Sequence, residues 1–251
     1  MYNSKELMHY ACDVGEEKLK KSLLSVFISS ILAGLFIGLG YMGFLYLSKY
    51  FHYGYVFSER YFASVTFGTG LVMIIIAGGE LFTGNCLLTM GAYAKRYSFF
   101  KVMGNLGLVW IGNFVGAIFL VFLVCFSVNY EEIIPQITTL SEVKNNMVFL
   151  EAFFKGILCN ILVSMAVYIS YASKTIPGKI LAAILPVSLF VICGFEHSVA
   201  NMFIIPLGYF SGADITLKGM FLNNLLPVTL GNFIGGGIII SGAYYLIYRK
   251  K

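Results

Sequence analysis

Charge is what this sequence has least of. Asp, Glu, Lys and Arg make up 12% of the 251 residues and hydrophobic residues 59%, which excludes an ordinary soluble domain. Histidine is scarce too: His9 and His52 fall in a tail and a loop, leaving only His197 inside an apolar stretch. A bis-histidine haem subunit, as in the membrane anchor of a redox complex, would need at least two. The five cysteines (Cys12, Cys86, Cys125, Cys159, Cys193) show no CxxC spacing, and four lie in apolar runs, where cysteine behaves as a small hydrophobe. Neither a disulfide framework nor a metal site is expected, and no cofactor. An enzyme would need a nucleophile–base pair or a metal constellation; one histidine with Glu196 as its acidic neighbour supplies neither.

The chain is instead rich in long uncharged runs: Ser22–Ser48, Tyr61–Gly79, Val102–Tyr130, Gly156–Ser173, Ile180–Phe195 with Ser198–Ala213, and Gly219–Tyr248. A helix needs about 20 apolar residues to cross the hydrocarbon core. The expectation is an all-α integral membrane protein with six transmembrane helices in one channel domain, 1–251, whose repeats occupy 22–130 and 147–248. The first run is too long and too far from the start for a signal peptide. Residues 1–21 read as a cytoplasmic amphipathic helix lying against the membrane. Twelve Lys and Arg fall on the side of the two termini and four (Lys49, Arg60, Lys144, Lys218) on the other, which places both termini in the cytoplasm of a multi-pass inner or plasma membrane protein. The net charge of +5 mostly reflects that anchoring, so no nucleic-acid partner is expected.

The chain repeats itself. Glu80-Leu81-Phe82-Thr83-Gly84-Asn85 is matched by Glu196-His197-Ser198-Val199-Ala200-Asn201, and Asn105–Gly116 parallels Asn224–Gly235. Glu80 to Asn113 spans 33 residues and Glu196 to Asn232 spans 36. Three spans per copy make the repeats inverted, and a run broken at equivalent points marks a transport pathway at a repeat interface. The second span, Tyr61 to about Ala94, is too long for one straight crossing and is divided at Gly78-Gly79-Glu80; the fifth is divided at Gly194, Glu196 and His197. Two discontinuous helices with facing broken centres fit this pattern, since irregular backbone at that depth must be buried by protein or line a cavity. Ordinary kinked helices are the plainer alternative.

An ionisable side chain at membrane depth marks a functional site by default, so His197 stands out, against the alternative of a hydrogen-bonded core histidine. Glu80 and Glu196 are expected to be structural, accepting from backbone N–H groups freed at each break; a proton relay or cation site is the alternative. Asn85 and Asn201 would tie the same loops. Asn113 and Asn232, each in a Gly-Asn-Phe-x-Gly setting, either donate to a passing anion or only pack. The glycine pairs Gly34/Gly38, Gly112/Gly116 and Gly231/Gly235 allow close helix approach.

At residues 78–85, 156–163, 194–203 and 224–237 the chain resembles the formate/nitrite transporter family, over nearly its whole length from about residue 22. The resemblance implies a homopentamer of aquaporin-like protomers, each with its own pore for a small anion in the lipid bilayer. By the same resemblance, Leu81-Phe82-Thr83 would form a mobile gate, His197 the central histidine, and Asn232 and Asn160 neighbours of the permeating ion. Phe67, Leu71, Phe82 and Phe190 would form apolar constrictions, and Lys144 would draw anions in.

A bare anion in such a dry passage faces a desolvation penalty of up to tens of kcal/mol in the idealised limit. Protonating a carboxylic acid of pKa about 4 at pH 7 costs only about 4 kcal/mol, and less for a sulfide. The expected scheme has Lys144 attracting the anion and His197 donating or sharing a proton, so that the neutral acid crosses. Among the family's substrates, the chain most resembles the hydrosulfide channels, because it lacks a proline-rich start and the Gly212–Leu222 connection is short. Formate or nitrite is the alternative, and an ion-coupled transporter would use the same inverted repeat.

Overall fold

Backbone polar groups in hydrocarbon must be satisfied within their own segment, so long apolar runs fold as helices. The computed structural model describes residues 2–50, 56–127 and 130–249; His52, Lys250 and Lys251 lie outside them. Among the described residues, six helices are long and apolar enough to cross a membrane: Leu23–Lys49, Arg60–Gly78, Phe99–Cys125, Phe149–Ala172, Ile176–Cys193 and Gly219–Tyr248.

The first repeat contains α2 (Leu23–Tyr50), α3 (Val56–Met73, continuing as a π-turn over Ile74–Gly78), the short α4 (Phe82–Asn85) and α5 (Leu88–Tyr93), and α6 (Phe99–Cys125). The second contains α8 (Phe149–Ala172), α9 (Ile176–Cys193), α10 (Ser198–Phe210) and a composite sixth span. That span alternates between π-helix at Gly219–Leu225 and Phe233–Ile240 and α-helix at α11 (Leu226–Asn232) and α12 (Ser241–Tyr248). Carbonyls loosened by the π geometry take side-chain donors: Gly237 O accepts from Thr89 Oγ1 at 2.6 Å and Tyr93 Oη at 3.0 Å.

Both second spans break where the sequence predicts. Gly78 adopts φ +89° and Gly194 φ +68°, the left-handed region open to glycine. At Gly194 the turn ends α9, with Gly194 N–H on Val191 O and Phe195 N–H on Phe190 O at 3.1 and 3.0 Å. The repeats share their tightest crossings as well. A methyl on Gly116 would lie 2.0 Å from Ile31 O, and one on Gly235 2.3 Å from Ile157 O. Backbone thus touches backbone where α6 meets α2 and where the sixth span meets α8.

Two helices lie outside the repeats. α1 (Ser4–Lys20) opens on a capping box, Asn3 with Glu6, at 2.9 Å in each direction. Its apolar stripe (Leu7, Met8, Ala11, Cys12) is buried against α5, α8 and α12. Residues 1–21 were expected to form a helix lying against the membrane; α1 docks on the protein, beside α12. α7 (Ile134–Asn145), which periodicity does not single out, starts with Pro135 in its first turn and packs against α10 and the sixth span.

Candidate functional site

Each break leaves one helix N-terminus with free N–H groups inside the protein. Both are closed by an asparagine from the third span of the same repeat. Asn113 Oδ1 accepts from Phe82 N–H at 2.9 Å, while Asn113 Nδ2 donates to Ser30 O and Glu80 O at 2.8 and 2.9 Å. Asn232 Oδ1 accepts from Ser198 N–H at 2.9 Å, and its Nδ2 donates to Gly156 O and Glu196 O at 2.8 and 3.0 Å. Both N–H groups of each amide are therefore occupied by backbone. The expectation that these amides donate to a passing anion is corrected: they hold the breaks in place.

The carboxylates also depart from expectation. Glu80 takes side-chain donors rather than backbone: Lys18 Nζ at 2.8 Å, Lys21 Nζ at 2.7 Å and Asn85 Nδ2 at 2.8 Å. Glu196 binds Lys144 Nζ through both oxygens at 2.7 and 2.8 Å, and Asn201 Nδ2 at 2.6 Å. Asn85 and Asn201 do tie the loops down, each passing the bond on, to Asn105 Oδ1 at 3.0 Å and Asn224 Oδ1 at 2.7 Å. A buried carboxylate needs such full pairing, since removing it from water unpaired is prohibitive.

Among the described residues, one polar contact joins the two breaks. Thr83 Oγ1 and His197 Nε2 are 2.9 Å apart, both buried. His197 is also the N-cap of α10: its Nδ1 accepts from Ala200 N–H at 3.1 Å. A neutral ring therefore carries its proton on Nε2, directed at Thr83. Phe190 stacks on the imidazole with centroids 5.8 Å apart, and Phe67 meets Phe190 edge-on at 5.6 Å.

Two cavities approach this centre from opposite sides. The one beside the chain ends, about 260 Å³, is lined by Lys18, Lys21, Lys179, Glu80, Leu71 and Leu81 among others. The far-side one, about 210 Å³, is lined by Arg60, Lys144, Lys155, Glu196, Phe67 and His197 among others. Between them Phe67, Leu71, Leu81, Thr83, Phe190 and His197 are each at most 4% exposed, a dry partition with one polar contact in it.

Most of the residues singled out from sequence thus meet at one place, with two exceptions. Phe82, expected at a constriction, turns away into an apolar groove of about 680 Å³ between α6 and the sixth span. Asn160, expected beside the pore, lies behind Asn232 and donates to its carbonyl at 2.6 Å. Sequence reasoning assigned no site role to Lys18, Lys21, Arg60, Lys155, Asn105 or Asn224. For the two asparagines a signal existed, since they open the matched segments of the repeat.

Comparison with known proteins agrees with this architecture. The family profile described as formate/nitrite transporter matches residues 5–246. A probable formate transporter of Methanothermobacter thermautotrophicus is 35% identical, covering 96% of this chain and 95% of its own length. The formate channel FocA of Escherichia coli is 30% identical, covering 95% of this chain and 92% of its own. Among solved structures, an FNT family ion channel superimposes with a TM-score of 0.88 at 29% identity, covering 96% of this chain and 98% of the other. A pentameric formate channel with formate bound gives 0.80 at 30%, covering 92% and 99%. The chain is a multi-pass membrane protein that belongs to the formate/nitrite transporter family.

Proposed function

We propose that the protein is a passive channel through which the anion of a small weak acid crosses as its neutral conjugate acid. The observation that carries this reading is the dry partition between two cation-lined cavities, interrupted only by the Thr83–His197 contact. Cationic walls attract the anion; the apolar partition rejects it unless its charge is removed. With Nδ1 held by the Ala200 N–H, His197 shares its Nε2 proton as a hydrogen-bond donor. Complete transfer would need an imidazolium, whose Nδ1–H would oppose the Ala200 N–H. The proton that neutralises the substrate then comes from water in the cavity, and the Thr83–His197 pair offers it a polar resting point.

The similar formate channels support formate as the substrate to test first. The short Gly212–Leu222 connection favours hydrosulfide as the second reading, and nitrite is the third. The pentameric neighbour supports a homopentamer here, and the Lys and Arg distribution supports chain ends in the cytoplasm. Stopped-flow entry of formate, hydrosulfide and nitrite into proteoliposomes, at matched gradients and several pH values, tests the reading. Flux should rise as pH falls toward the acid's pKa. His197→Phe, which removes the polar resting point but not the proton source, should lower flux at every pH while leaving that dependence in place. Flux that is independent of pH for every substrate, or uptake that continues only under an imposed proton gradient, would end the passive neutral-acid scheme.

A further inference from the structure

The far-side cavity is cationic, but its lysines do not supply the net charge. Lys144 Nζ sits 2.7 and 2.8 Å from the two oxygens of Glu196, and both side chains are nearly buried. A paired lysine presents little field to an approaching anion. Lys155 Nζ is paired in turn with Glu151 at 2.6 Å. The remaining charge on the cavity wall is Arg60. Its side chain is exposed, and among the described residues it has no ion pair or side-chain hydrogen bond. A methyl on Gly194 would lie 3.8 Å from Arg60 Nη2, so the guanidinium overhangs the left-handed turn that leads into Glu196 and His197.

We propose that Arg60 is the anion-capture residue of the far-side cavity, holding a small monovalent anion against its guanidinium before water in the cavity neutralises it and it passes the Thr83–His197 contact. The proposal rests on the channel reading above and adds to it the residue that concentrates substrate. An unpaired guanidinium beside low-dielectric walls raises the local concentration of anions, and its planar fork donates to the two oxygens of a carboxylate or nitrite side by side. Lys144, already chelated by Glu196, offers neither property.

The test is flux of formate, nitrite and hydrosulfide into proteoliposomes at substrate concentrations well below saturation, in low and high salt. In that regime passive permeability is equal in both directions, so mixed protein orientation does not blur the result. Arg60→Gln should lower low-salt flux on the order of ten-fold and flatten its salt dependence. Arg60→Glu should lower it further, and Arg60→Lys should recover part of the loss. Lys218→Gln removes an exposed charge on the same side but outside the cavity, and should leave flux unchanged. If Arg60→Gln matches the unsubstituted protein in rate and salt dependence while that protein conducts, the capture role is wrong and the channel reading stands. An unsubstituted protein that conducts none of the three anions overturns both.

Discussion

The two breaks pose the same problem and solve it with different parts of the molecule. Each places a carboxylate at the centre of a membrane protein, tied by an asparagine five residues on. On the far side the countercharge is Lys144, carried by α7 and locked there because Asn224 Nδ2 donates to Lys144 O at 3.2 Å. Its side chain is 12% exposed. On the other side the countercharges are Lys18 and Lys21, 21% and 44% exposed, at the end of a helix that is not one of the spans. One carboxylate is neutralised by a nearly buried lysine on a helix between the repeats and the other by two more exposed lysines at the end of the N-terminal helix. The lesson is that the repeat fixes which charges must be buried and leaves open what neutralises them.

The sharpest way to break this comparison is to remove the fixed countercharge. Lys144→Met leaves Glu196 charged and unpaired, and taking one partner from a buried pair costs about 3–5 kcal/mol. A large loss of thermal stability of the purified protein in detergent is expected, and Lys144→Met with Glu196→Gln should recover most of it. No recovery in the double variant would mean that Lys144 matters for packing rather than for charge. On the other side, Lys18→Met alone should be milder, because Lys21 still reaches Glu80 Oε1. The substitution also leaves Asn85 Oδ1, to which Lys18 Nζ donates at 2.7 Å, without its donor, so a loss of about 1–3 kcal/mol is expected. If Lys18→Met destabilised as much as Lys144→Met, the two sides would be equivalent after all.

The contact joining the two breaks should have an intermediate effect. Thr83→Val removes the acceptor for His197 Nε2–H and leaves a buried donor unsatisfied, at about 1–3 kcal/mol. Thr83→Ser keeps the hydroxyl. Flux in reconstituted vesicles should fall by roughly ten-fold or more in the valine variant if that energy appears in the barrier, and it should be largely retained in the serine variant. Equal flux in all three proteins would remove Thr83 from the pathway.

These contrasts also mark what can be read in sequence. Span number and the break positions follow from the repeat and its glycines, because glycine at a left-handed turn and charge at membrane depth are local signals. Thr83 came to the pathway only through the family resemblance, and its contact with His197 at 2.9 Å is a finding of the structure. The Lys144–Glu196 pairing spans 52 residues and no periodicity announces it. The capping role expected of Glu80 falls to Asn113 for a similar reason. Both residue types cap helices, and only the fold shows that the asparagine reaches the free N–H groups while the carboxylate meets lysines. Phe82 went astray because a four-residue helix has no face that sequence can orient. The stripe on α1 is plain in sequence, but an apolar stripe does not say whether lipid or protein will cover it.

The least disruptive experiment asks whether α1 can leave. Cys12 sits on the docked stripe at 1% exposure, and burial pushes its thiol up to about 11, against the smaller opposing effect of Arg96. A raised thiol pKa keeps the unreactive protonated form across neutral pH. At pH 8 roughly one thiol in a thousand would be ionised, against about a quarter for a free cysteine. With Cys125 and Cys193 replaced by serine, maleimide labelling of Cys12 should be slow while α1 is docked. Lys18→Met with Lys21→Met loosens the contact with Glu80, so labelling should accelerate by at least ten-fold as the thiol returns to its ordinary range. The same double substitution should not alter labelling at Cys159, which is fully buried in the middle of α8. Cys12 labelling at the docked rate in the double variant would show that the apolar stripe alone holds α1, and that its lysines neutralise Glu80 without controlling whether the helix stays.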